Sequence, residues 1–111
     1  MKKTSYLFEE IEKEHTRLVK EIEAYEKERD MLPKGSLRTI NRRYVYCYVR
    51  VNGKNTSEYV GLRDSDKVRK RKEEIKKRCF LDAVIKELKE EYREVDAYYR
   101  AGLRFHKKRD K

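Results

Sequence analysis

The residues from Tyr44 to Val51 alternate strictly between two chemistries. Tyr44, Tyr46, Tyr48 and Arg50 fall on one side of an extended chain, and Val45, Cys47, Val49 and Val51 on the other. A period of two, rich in β-branched and aromatic residues, predicts a strand. Asn52-Gly53 follows at once, a dipeptide suited to the positive backbone angles of a type I′ turn. The return strand is expected over Thr56 to Val60, with Tyr46 opposite Tyr59 and Val45 opposite Val60. Upstream, Ser36 to Ile40 reads as a first strand with Asn41-Arg42 as its turn. Residues 35–61 are therefore expected to form a three-stranded antiparallel β-meander.

Three short strands need a covered face to persist in water. Only a helix is available to cover this one. The Val45, Cys47, Val49 face is expected to pack on that helix, which leaves Tyr44, Tyr46, Tyr48 and Arg50 open. The reverse assignment also stands, because a two-residue Asn41-Arg42 turn sets Leu37 beside the tyrosines.

Both flanks read as long helix. In residues 1–32, Leu7, Ile11, Leu18, Ile22 and Tyr25 recur at spacings of three and four, with His15 in the gap, as in a coiled-coil-like stripe. Thr4 or Ser5 is expected to cap its start, and Pro33 to end it near Asp30 to Leu32. After the sheet, Asp64-Ser65-Asp66 signals a helix N-terminus. No proline or glycine follows Lys67 until Gly102, so a helix over 64–101 is expected, with a basic tail over 102–111 frayed beyond Phe105. Its seam reads Val68, Ile75, Cys79, Leu81, Ile85, Leu88, Tyr92, Val95 and Tyr99, and Phe80, Ala83 and Val84 widen it. Cys47 and Cys79 read as two small buried apolar residues, and a bridge between them is the lesser alternative. The fold class is α+β in a single domain over 1–111. Long N- and C-terminal helices form an antiparallel coiled-coil-like hairpin, and the meander lies between them. The longer second seam would be covered within the chain, in a homodimer or by a partner protein.

Charge locates a candidate surface. The chain carries a formal +10 and 47% charged residues. Residues 1–34 hold eight basic and nine acidic side chains, whereas residues 35–63 hold six basic and one acidic. The excess begins where the sheet begins, which suggests a polyanionic partner. Arg38, Arg42, Arg43, Arg50 and Lys54 supply charge there. Tyr44, Tyr46 and Tyr48, with Tyr59 as a further ring, supply aromatic faces. Residues 67–78 carry a net +6, so Arg69, Arg71, Lys72 and Lys76 are expected to flank the sheet and grip phosphates. Cations of this kind neutralise a nucleic-acid backbone. Arginine and lysine on a β-ribbon read base edges in a groove, and exposed rings beside positive charge stack unpaired bases. The competing reading of both groups is structural: tyrosines that pack, and a solvated helix face.

Gly35-Ser36-Leu37-Arg38, the tyrosine-rich strand, Arg50-Val51-Asn52-Gly53-Lys54 and the following helix resemble the arm-type DNA-binding domain of phage integrases over about Gly35 to Arg78. The wider layout is similar to that of small phage and mobile-element proteins. The resemblance implies a three-stranded sheet inserted in the DNA major groove and backed by a helix, so DNA is favoured over RNA. No recombinase domain follows in 111 residues, and integrase activity is not expected.

No catalytic constellation is legible. His15 and His106 have no metal-ligand neighbours, and there is no phosphate-binding glycine loop and no nucleophile motif. The expectation is a non-catalytic nucleic-acid-binding accessory protein of phage or mobile-element type. It needs no cofactor, metal or small-molecule substrate. A cytoplasmic location, with no membrane contact, is expected from the lack of a signal-peptide core and of a membrane-length apolar stretch. The alternative is a protein-interaction module, such as a phage-encoded anti-CRISPR-like inhibitor that docks on a nucleic-acid-handling protein through its helices or sheet.

Overall fold

A computed structural model describes the backbone of residues 3–109 and the side chains of residues 6–105. In chain order it holds α1 (Lys3–Asp30), β1 (Ser36–Ile40), β2 (Tyr44–Val51), β3 (Lys54–Leu62) and α2 (Asp66–Arg109). The layout is α+β, two long helices flanking a three-stranded antiparallel sheet of order β1-β2-β3. The chain separates into two compact units, residues 28–82 and the paired helix segments 1–27 and 83–111.

In the first unit both hairpins turn through pairs of residues with positive φ. Asn52 and Gly53 have φ of 51° and 79°, and Asn41 and Arg42 have 53° and 60°. Such pairs characterise type I′ turns, whose twist matches that of the strands they join. The β1–β2 connection nevertheless holds three residues, because Ile40 pairs with Tyr44 and Arg43 donates its N–H to the Ile40 carbonyl. The extra residue moves the register by one, and a one-residue slip exchanges faces. Leu37 therefore stands opposite Cys47 and Thr39 opposite Val45, away from the tyrosines. On the other side Tyr46 pairs with Tyr59 as expected, but Val45 pairs with Gly61. A bulge between the two positions takes up Val60, and β3 runs two residues beyond the expected end.

The register decides the faces. Val45 and Cys47 are 3% and 1% exposed, and Val68 of α2 is buried with them. Burying a valine-sized side chain contributes about 1.5–3 kcal/mol. Gly35 is required here: a Cβ on it would lie 2.7 Å from the Tyr48 carbonyl oxygen and 2.9 Å from Cys47 Sγ. Cys47 donates its thiol to the Lys34 carbonyl at 3.6 Å.

Helix ends are closed by side chains. Ser65 precedes α2 and its Oγ accepts from the Val68 N–H at 3.4 Å, so Ser65 serves as the N-cap. Arg78, read from the sequence as part of a basic run, turns inward. It donates to the carbonyls of Arg29 and Leu32 at 3.0 and 2.7 Å and so satisfies acceptors left at the end of α1. Arg78 takes the seam place given to Cys79. Cys79, Phe80 and Ala83 are all exposed, Phe80 to 67%. A residue one position round the helix moves by 100°, enough to leave a narrow seam. Both cysteines are free thiols.

In the second unit the helix segments run antiparallel. The rings of Phe8 and Tyr99 stack at 5.8 Å, His15 Nε2 lies 2.9 Å from Asp96 Oδ1, and Glu26 pairs with Lys89 at 3.3 Å. Leu18 and Ile85 are buried between them. Phe8 takes the place expected of Leu7, which is exposed. The seam of α1 is thus Phe8, Ile11, His15, Leu18, Ile22 and Tyr25, at alternating spacings of three and four. Thr4 and Ser5 lie inside α1 rather than before it. The expected tail is helical through Arg109, since one interior glycine costs a helix only about 1 kcal/mol. His106 falls outside the described side chains.

Two outcomes follow from these contacts. Arg78→Met keeps the aliphatic stem and loses both charged hydrogen bonds. Stability should fall by about 1.5–3 kcal/mol, read as a lower urea midpoint, while Cys79→Ala changes it by less than about 0.5 kcal/mol. The Asp96 carboxyl is held below its ordinary value of 3.8 by the hydrogen bond from His15 and, opposed by desolvation, by the charge of Arg100. A depressed folded value gives a contribution present above the unfolded value and lost as pH falls through the folded one. Asp96→Asn should therefore flatten the acid limb of a melting-temperature profile taken from pH ~5 down to ~2.

Candidate functional site

With one face of the sheet closed by α2, the other forms a continuous surface. Cross-strand partners share a face, so the register builds it row by row: Ile40, Tyr44 and Leu62, then Arg38, Tyr46 and Tyr59, then Ser36, Tyr48 and Ser57, then Arg50 and Asn55. Tyr44 and Tyr59 are exposed, whereas Tyr46 and Tyr48 are half-buried against their neighbours. The Tyr59 ring meets Tyr46 edge-on at 5.4 Å and Tyr44 tilted at 6.4 Å. The Arg38 guanidinium sits over the Tyr48 ring, 5.3 Å from its centroid, a cation–π geometry.

Charge on this side has one sign. Arg38 and Arg50 stand on the face itself. Arg42 and Arg43 occupy the loop at one end, both exposed. Lys54, expected among these cations, opens β3 opposite Val51 and so falls on the valine side with Glu58, because side chains alternate along a strand. Among the described residues no acid pairs with Arg42, Arg43, Arg50 or Lys54. Glu58, the one acid in residues 35–63, lies opposite Cys47 on the covered face and pairs with Arg71 at 3.4 Å. From Arg43 to Arg50 the strand spans roughly 23 Å at ~3.3 Å per residue.

The helix cations do not join this surface. Arg71 is held by Glu58, and Arg69 by Asp66 at 3.2 Å and the Asp64 carbonyl at 3.3 Å. Lys72 and Lys76 line a cleft of about 430 Å³ with Arg63 and Arg69, over a floor of Leu37, Val45, Val68 and Ile75. That cleft lies on the covered side of the sheet. The expectation that Arg69, Arg71, Lys72 and Lys76 flank the tyrosines is therefore corrected. A helix that buries one face of a sheet carries its charges away from the other. Sequence parity already held a signal for Glu58, since a neighbour of Tyr59 on the same strand must point to the opposite face. Nothing in the local sequence marked Ile40 and Leu62 as members of the open surface, because their places depend on the three-residue loop and the bulge.

The pattern of the family described as Domain of unknown function (DUF6788) matches residues 8–70, more than half of the chain. The chain belongs to the DUF6788 family. The matched DUF6788 segment contains the whole sheet, both hairpin ends and Arg69, and stops short of Arg71, Lys72 and Lys76. No curated protein and no solved structure matches the chain. Among the described residues no group of three or more His, Cys, Asp or Glu side chains is placed to hold a metal ion. No described helix is long and apolar enough to cross a membrane.

Arg42 is an unusual occupant of its turn. At φ 60° a side chain with a Cβ is strained, by about 1–2 kcal/mol. Arg42→Gly relieves that strain and adds back unfolded-state entropy. A net stabilisation of about 0.5–1 kcal/mol is expected, read as a raised melting temperature.

Proposed function

We propose that the chain is a non-catalytic nucleic-acid-binding accessory protein and that it binds through the open face of its sheet. One observation carries the reading: Arg38, Arg50 and four tyrosines share this face, Arg42 and Arg43 stand in the loop at its end, and the only acid of residues 35–63 is on the other face. A surface of one charge sign beside aromatic rings complements phosphate and base together. The resemblance to integrase arm-type domains agrees with it, and a phage or mobile-element setting is part of the same proposal. The strain held at Arg42 supports it too, since strained residues gather where a side chain is needed in place. On this reading Lys72 and Lys76 have no part in the contact.

The test is fluorescence anisotropy with labelled oligonucleotides of arbitrary sequence, single-stranded and duplex, over a salt series. Affinity should fall steeply between about 50 and 200 mM salt. Each of Arg42→Ala, Arg43→Ala and Arg50→Ala should weaken binding and lower the salt slope by about 0.7–0.9. Lys72→Ala with Lys76→Ala should leave affinity unchanged. Absence of binding to any nucleic acid at low salt overturns the reading. Phe80, 67% exposed on α2, favours a second reading, docking on a nucleic-acid-handling protein. That reading gains if capture from the host survives nuclease treatment and is lost with Phe80→Ser.

A further inference from the structure

The open face of the sheet carries a hollow beside Tyr48. Ser36, Arg38, Tyr48, Val49, Arg50 and Asn55 line a depression of about 430 Å³, within the ~300–1,000 Å³ range of small-ligand clefts. Its residues divide by role. The Tyr48 ring is a flat apolar wall. Arg38, 5.3 Å over that ring, and Arg50 bring two positive charges to the rim. Ser36 and Asn55 offer a hydroxyl and an amide able to donate and accept. A ring, polar groups for a base edge and two cations for flanking phosphates are the parts a single nucleotide requires.

Ring spacing points the same way. Tyr44, Tyr46 and Tyr48 follow one another at every second residue of β2. Successive rings therefore stand about 6.6–6.8 Å apart along the strand. Bases stacked in a duplex rise only ~3.4 Å per step. A paired, continuously stacked strand cannot offer one base face to each ring at twice its own rise. An unstacked strand can, because its bases turn out freely. Side chains also stand roughly perpendicular to a sheet, so bulky rings keep the backbone of β2 away from the floor of a groove.

We propose that the hollow beside Tyr48 seats a base of single-stranded nucleic acid, DNA or RNA, with the strand laid along β2 past Tyr46 and Tyr44. This rests on the reading of the sheet as a nucleic-acid-binding face. Arg38 then has two tasks, stacking over Tyr48 in the free protein and holding a phosphate in the complex. Arg42 and Arg43 meet the strand at one end, and Arg50 at the other.

The experiment compares a labelled deoxythymidine 15-mer (~15 nucleotides, near the upper site size of an OB fold), the matching uridine oligomer and a duplex of equal length at one salt concentration. Either single strand should bind at least tenfold more tightly than the duplex. Tyr48→Leu should weaken single-strand binding by about 5- to 150-fold, the effect of one lost stacked base, and Tyr48→Phe should retain it. Folding of each variant is checked by circular dichroism. A second measurement needs no substitution: photocrosslinking a 5-iodouracil-bearing oligomer to the intact chain should place the adduct at Tyr48 or Tyr46. Equal or tighter binding of the duplex, with Tyr48→Leu silent and Arg50→Ala harmful, overturns this inference and leaves nucleic-acid binding standing. An adduct outside the sheet also overturns it. Failure of all three oligomers to bind overturns both.

Discussion

The closure of one sheet face by α2 is the contact on which the rest of this protein depends. Val45 and Cys47 disappear beneath the helix with Val68, and Gly35 lets the chain entering the sheet pass close to Cys47 and the Tyr48 carbonyl. Three strands this short hold together in water only with one side covered. Because side chains alternate along a strand, covering the valines leaves the tyrosines to solvent. The charge on the open face and its ring row are consequences of that single burial.

The same burial separates two basic surfaces that composition joins. Residues 67–78 follow the sheet closely in sequence, yet the helix that seals the valine face directs Lys72 and Lys76 into a cleft on that side. Arg71 is drawn to Glu58, and Arg78 is spent on the carbonyls of Arg29 and Leu32. Both carbonyls are reached by one nitrogen, Nη1, which carries two N–H donors. A dense cationic run thus resolves into a cap, an ion pair and a rim, and only part of its charge is free. The tyrosine face has fewer cations, but among the described residues no acid holds Arg42, Arg43 or Arg50.

The paired helix segments show how far a heptad reading reaches. Spacings of three and four found the helices, and the stretch from Ile11 to Tyr25 is as the pattern requires. At Leu7 and Phe8 two apolar neighbours competed for one seam position, and hydrophobicity alone does not choose between them. Stacking of Phe8 on Tyr99 does. His15 was legible as the filler of a gap, but its partner Asp96 was not, because the two lie 81 residues apart. Cys79 and Phe80 are outside the seam for a related reason: the position between Ile75 and Leu81 is taken by Arg78, whose polar head finds carbonyls that only the fold places there.

The sequence by itself determined the elements and their order. Alternation over Tyr44–Val51, the Asn52-Gly53 turn, Pro33 and the Asp64-Ser65-Asp66 signal are local features, and local sterics and hydrogen bonding are enough to read them. It also determined that the sheet is basic and rich in tyrosine. Tertiary structure alone decided which face is open, where Leu37 stands, and which cations remain free. Those depend on one extra loop residue at Arg43, a bulge at Val60 and the docking of α2, and a shift of one residue in a strand exchanges its two sides.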